Sequence, residues 1–378
     1  MRHLATRRPV AALLLVLGAC SNATTAPRQP PPTCMFANPV VSGADPWVVQ
    51  RDGWYYFVQS RNETIWVSKS RKLTEINANA VGVWTAPATG WNRDNVWAPE
   101  LHYLDGKWYL YYTAGPTGPA NAEFVNQRSF VLESVSDDPQ GAYIDKGMLY
   151  TGDNLATGSE NTWAIDLTVG TINGQRYAVW SGWEVNNPSN HRVPQHLYIA
   201  TMSNPWTISS NRAKISSPVE PWERGTELDL QEGPEFLHNG ASTFIIYSTR
   251  ESWLPAYKLG QLRLNAPTAD PLQPGSWTKS GPVFAGTTDV YGAGHAGFAT
   301  SPDGTEQWIL YHSKTLTTPG WNDRVIRMQK FTWKADGSPN FGLPSPAGQL
   351  LPLPSGECTQ TLGVLELDAL DPGLAHAA

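Results

Sequence analysis

The sequence predicts an all-β chain folded as a five-bladed β-propeller, and three observations carry that expectation. The 378 residues include 33 Gly, 31 Pro and 17 Trp but only 16% charged residues, a profile of short strands and many turns instead of long helices. Five segments follow one plan: a short strand opening on a polar residue, a turn about ten residues later, an aromatic strand, and a third strand. No stretch sustains a helical apolar period, whereas alternation recurs throughout.

In chain order, residues 1–19 read as an export leader. Arg2, Arg7 and Arg8 precede an apolar run at 10–17 that is too short for a permanent membrane span. The run ends in Leu17-Gly18-Ala19-Cys20, which is similar to the bacterial lipobox. Cys20 is therefore the expected lipidation site, and 20–33, rich in Pro and Thr, a tether. The expected location is the cell envelope, lipid-anchored on the outer surface or in the periplasm. The alternative is plain secretion with cleavage near Ala19.

The propeller itself is expected over 34–358. The first blade carries Ala44-Asp45-Pro46-Trp47, the turn Asp52-Gly53 and the strand Trp54-Tyr55-Tyr56-Phe57. The second carries Trp97-Ala98-Pro99-Glu100, Asp105-Gly106 and Trp108-Tyr109-Leu110-Tyr111. The third has Trp163-Ala164-Ile165-Asp166, Asn173-Gly174 and Tyr177-Ala178-Val179-Trp180. The fourth has Glu232-Gly233-Pro234, Asn239-Gly240 and Phe244-Ile245-Ile246-Tyr247. The last has Gly294-His295-Ala296, Asp303-Gly304 and Trp308-Ile309-Leu310-Tyr311. Asp-Gly and Asn-Gly are strong hairpin signals because both residues tolerate positive φ. The tail, 359–378, shows no turn register and has no assigned role.

Cys34 and Cys358 bracket the repeats. In an oxidising compartment a closed ring would bring them together as a disulfide; two free thiols are the alternative. Loss of the leader removes three arginines and no acid, taking the net charge from −6 to about −9. With no basic stripe, nucleic acid is excluded as a partner and a neutral polysaccharide fits better. The expected assembly is a monomer.

If the leading strands line the axis, Asp45, Glu100, Asp166, Glu232 and His295 approach one another from five blades. Four carboxylates and a histidine do not gather in a partly desolvated channel for stability alone.

Ala44-Asp45-Pro46, Ile165-Asp166, Glu232-Gly233-Pro234 and Gly294-His295, in this order and at blade spacing, resemble glycoside hydrolase family 43 over about residues 36–350. The resemblance implies inverting hydrolysis of arabinofuranosides or xylosides, with Asp45 as general base, Asp166 as the carboxylate that tunes pKa, and Glu232 as general acid. Inversion needs a base to activate water and a protonated acid at the leaving oxygen, and a nearby anion keeps that acid protonated. Glu235 competes with Glu232; strand alternation turns it to the opposite face, which favours Glu232. The family pattern also aims Arg324 at the site. Trp97 and Trp163 are candidates for stacking on sugar, and Glu100 for substrate contact.

The chemistry requires no cofactor. Some members hold a hydrated cation, often Ca2+, in the channel. His295 would meet it through water, since Ca2+ favours oxygen ligands. The wording around these motifs most resembles exo-acting α-L-arabinofuranosidases, so the expected substrate is terminal arabinose on plant cell-wall polysaccharide or arabino-oligosaccharide. A β-xylosidase and an endo-arabinanase are the alternatives on the same fold. A non-catalytic glycan-binding propeller is the alternative of another class.

Overall fold

The computed structural model describes residues 34–158, 161–186 and 189–358. The leader 1–19, the tether with Cys20 and the tail 359–378 lie outside the described residues. Five antiparallel sheets follow one another along the chain and form the five blades. The first blade runs Trp47–Arg51, Trp54–Arg61, Thr64–Ser70 and Val81–Thr85 from the axis outward. The others begin with the inner strands Asp94–Leu104, Ala164–Ile172, Gln231–Asn239 and Tyr291–Thr300. Each has a fourth, outer layer that the sequence pattern did not reveal.

Three of the five hairpin turns have the expected form. Asp52-Gly53, Asp105-Gly106 and Asn173-Gly174 all take positive φ at both positions and join strands in two-residue loops. In the fourth blade Asn239 pairs with Ser242, so the loop is Gly240-Ala241, one residue later than expected. In the fifth, Thr300 pairs with Gln307 and the loop is longer.

The ring closes by strand exchange. Val41–Ser42 from the start of the fold pairs with Ile326 and Val325, completing the outer side of the last blade. Beside this seam Met35–Ala37 pairs with Leu350–Pro352, and Cys34 and Cys358 form the expected disulfide with Cα atoms 5.4 Å apart. In the chain-entropy model, closing so long a loop contributes about 6 kcal/mol.

Five core clusters lie one between each pair of neighbouring blades, and a sixth, smaller one gathers Val125, Trp163, Ile165 and Trp183. Tyr111 and Trp180 pack between the second and third blades, Tyr247 and Val179 between the third and fourth, and Tyr55 and Leu310 between the fifth and first. Alternate residues of each aromatic strand face opposite neighbours, which is why these strands are apolar on both sides. Each such side chain contributes about 1.5–3 kcal/mol on burial.

The entry of each inner strand into the channel is kinked. Asp45, Ala98, Asp166, Gly233 and His295 have φ of 51°, 42°, 54°, 51° and 50°. Register shifts between Trp97 and Glu100, Ile165 and Thr168, Glu232 and Glu235, and Gly294 and Ala296 mark the same places as bulges. A bulge bends a strand and re-aims its side chains. These five kinks set the geometry of the site.

Candidate active site

Equivalent positions in the five blades are the left-handed residues, and this corrects the expected register. Asp45, Asp166 and His295 are equivalent as expected, but the second blade contributes Ala98 and the fourth Gly233. Glu232 therefore precedes the kink by one residue and Glu100 follows it by two. The kinks are held by a repeated contact. The backbone N–H of Asp166 donates to Thr113 Oγ1 at 3.1 Å, that of His295 to Ser248 Oγ at 2.8 Å, and that of Asp45 to His312 Nδ1 at 3.2 Å. Each acceptor lies on the second strand of the preceding blade.

Asp45 sits on the wall of a pocket of about 650 Å³ also lined by Gly43, Arg61, Trp97, Trp321 and Arg324. Its Oδ1 lies 3.2 Å from His295 Nδ1, 3.2 Å from His312 Nδ1 and 3.3 Å from Arg324 Nη1. Burial pushes its pKa up, but Arg324, then His295, outweigh this and hold the carboxyl far below the usual carboxylate range. His312, fully buried, is pushed down to about 4 by that burial and is therefore neutral near pH 7.

Asp166 and Glu232 behave oppositely. Asp166, 6% exposed, accepts the Gly233 N–H at 3.0 Å. Burial, then repulsion from Glu232 and Asp45, raises it to about 7 although His295 pulls it down. Glu232, 8% exposed, accepts the Tyr257 hydroxyl at 2.9 Å. Burial and the Asp45 charge raise it to about 7 against the Tyr257 hydrogen bond. Near neutrality the pair holds a proton while Asp45 is charged, and its apparent pKa values belong to both groups. An anion beside a protonated carboxyl is the division that acid–base chemistry needs.

Glu235 is not on the far face. The Gly233-Pro234 bulge breaks the alternation and turns it into the channel as well, where Thr168 Oγ1 donates to it at 3.4 Å. Burial, then the facing Glu100, holds Glu235 well above the ordinary range. Glu100, 4% exposed, pairs with His102 Nε2 at 2.8 Å. Trp163, a candidate for stacking on sugar, is packed away from the pocket. Its ring lies flat on Trp183 at 4.5 Å and 3% exposure, with its N–H donated to the Phe124 carbonyl, so it is a core residue. Trp97 does line the pocket, edge-on to Phe124.

His312, Tyr257 and Trp321 were missed. The first is legible in the sequence: the residue after each aromatic quartet is Val58, Tyr112, Ser181, Ser248 and His312, so only the fifth blade puts an imidazole there. The other two come from loops outside the repeat.

Asp45, His295 and His312 bring three donor atoms within 4.8 Å of one another. Two nitrogens and one oxygen are a poor set for Ca2+. The same oxygen already faces Arg324, and His312 Nδ1 already accepts a backbone N–H. These residues do not fit a directly bound Ca2+.

The family model described as Glycosyl hydrolases family 43 matches residues 36–339. An extracellular exo-alpha-(1->5)-L-arabinofuranosidase of Streptomyces avermitilis is 36% identical over 362 residues, covering 91% of this chain and 71% of the relative. Alpha-L-arabinofuranosidase 43 of Humicola insolens is 34% identical over 336 residues, and the chain spans 66% of its length. Among solved structures, an alpha-L-arabinofuranosidase from Lactobacillus brevis superposes with a TM-score of 0.74 at 31% identity, over 83% of this chain and 98% of the other.

Proposed function

The chain belongs to glycosyl hydrolase family 43, and from that membership we propose that it removes terminal α-L-arabinofuranose from arabinan or arabinose-decorated polysaccharide, with inversion. The observation that carries the reading is the opposition between Asp45, held ionised on the pocket wall, and the buried Asp166–Glu232 pair beside it, which holds a proton near neutrality. Asp45 takes a proton from water as the water oxygen attacks the anomeric carbon. The bond to the leaving oxygen breaks, and that oxygen takes the proton from Glu232. Arg324 keeps Asp45 ionised. Asp166 shares a proton with Glu232, so ionisation of Asp166 holds Glu232 protonated to higher pH.

The reading is tested by the sugar released when purified enzyme meets arabinan, arabinoxylan and xylan. Free arabinose as the first product, with chain length falling slowly, supports it. Xylose as product, or arabino-oligosaccharides from mid-chain cuts, would replace it with a β-xylosidase or an endo-arabinanase.

The role of Asp166 has its own signature. Glu232 must be protonated to act, so activity falls as pH rises through the apparent pKa of the Asp166–Glu232 pair near 7. Asp166→Asn removes a like charge, lowers that pKa and moves the alkaline limb of kcat/KM down by about one pH unit. A limb that stays in place or moves upward contradicts the tuning role.

We further propose export and lipid attachment at Cys20, in keeping with the word extracellular in the name of the Streptomyces relative. Among the described residues no helix is long and apolar enough to cross a membrane. Cys20→Ala should leave the membrane fraction in which the parent protein is found; equal partitioning of both excludes the anchor.

A further inference from the structure

Trp321 is a large apolar side chain, 46% exposed, on a loop that is otherwise pinned. The buried Lys314 ammonium donates to the Gly320 carbonyl and to Asp323 Oδ1, and the second oxygen of Asp323 accepts the N–H groups of Thr315 and Leu316. The Gly320 N–H donates to the Trp253 carbonyl at 2.9 Å. The Trp321 carbonyl accepts Arg324 Nε at 3.2 Å, which ties the loop to the cation facing Asp45. Its indole N–H donates to Ser252 Oγ at 3.1 Å, and the Ser252 side chain in turn lies against Glu232. The edge of Trp253 covers it from one side, with ring centroids 5.2 Å apart at 70°. The ring lines the same pocket as Asp45.

Nothing in the packing requires this indole to be open to solvent. The loop is fixed without it, and an exposed aromatic on a rigid support beside a polar pocket is the arrangement that receives the apolar face of a sugar ring. We propose that Trp321 is a specificity-determining contact for the leaving-group sugar, the pentose that follows the terminal one. Its indole N–H is joined through Ser252 to Glu232, whose proton the departing oxygen takes, and this link places it toward the leaving-group sugar. The assignment rests on the function proposed above.

The experiment compares arabinotriose, which occupies both sides of the scissile bond, with free arabinose as an inhibitor that occupies the terminal-sugar position alone. Trp321→Ala should raise KM for arabinotriose roughly tenfold while the arabinose inhibition constant stays within about twofold. Trp321→Phe, which keeps a ring but has no N–H, should retain most of the affinity. If the alanine variant melts below the parent protein, Trp321→Gln takes its place, since it keeps bulk and a donor for Ser252 without an aromatic face; the same rise in KM is expected. An inhibition constant that rises as much as KM, an unchanged KM, or a phenylalanine variant as poor as alanine each overturns the proposal. If the parent enzyme instead cleaves xylotriose and leaves arabinotriose intact, the substrate reading fails. The same comparison, run with xylotriose and xylose, then decides Trp321 separately.

Discussion

Asp45→Ala is expected to lower turnover by roughly 10²–10⁴-fold on natural oligosaccharides and on activated aryl glycosides alike. Water is the nucleophile in both reactions, and without Asp45 nothing takes its proton as it attacks. The loss should not come from unfolding. Asp45 is a side chain at a pocket wall whose partners Arg324, His295 and His312 have other supports: Arg324 Nε on the Trp321 carbonyl, the His295 N–H on Ser248, and the His312 ring stacked on Tyr257. Melting curves therefore accompany the kinetics. Azide needs no deprotonation and should restore part of the rate in the alanine variant. An aryl glycoside cleaved at the normal rate by Asp45→Ala would remove Asp45 from the base role.

Glu232→Gln should behave differently in one respect. A sugar alkoxide leaves poorly without a proton, so arabino-oligosaccharide hydrolysis should fall by roughly 10²–10⁴-fold. An aryl glycoside with a good leaving group should lose much less. Glutamine keeps the size of the side chain and can still accept from Tyr257, so the contrast isolates the proton. Equal losses on both substrates, or a normal Glu232→Gln enzyme beside an inactive Glu235→Gln enzyme, would reassign the acid. The second outcome runs against the geometry, because Glu235 faces Glu100 and Thr168 deeper in the channel.

The blade count was legible because turn chemistry is local. Asp52-Gly53, Asp105-Gly106 and Asn173-Gly174 act through their own φ angles, and the aromatic strands between them carry a two-sided apolar pattern that any neighbouring blade satisfies. The ring closure was legible only as the meeting of Cys34 and Cys358. The two-residue strand Val41–Ser42 is too short to carry a pattern, and its partner lies at the opposite end of the chain.

At the site, the limit was the bulge. Ala98 carries no side-chain signal for a left-handed backbone, so the repeat pattern sets Glu100 level with Asp45 although it lies two residues past the kink. Gly233 is the residue such a kink favours, but beside Glu232 and Glu235 the carboxylates drew the alignment. Period-two reasoning fails wherever a bulge inserts a residue, and it assigned Glu235 to the wrong face for that reason. Trp163 and Trp97 have the same local pattern; only the neighbours Trp183 and Phe124 separate a core ring from a pocket ring.

The claim that Asp45 activates water, with no covalent bond to the sugar, is tested most directly by the configuration of the first product. Proton NMR of the early reaction on an aryl α-L-arabinofuranoside distinguishes the anomers before mutarotation mixes them. The mechanism predicts β-arabinose as the first-formed sugar, turning into the equilibrium mixture afterwards. α-Arabinose as the first product, or a glycosyl ester trapped on Asp45, would contradict it.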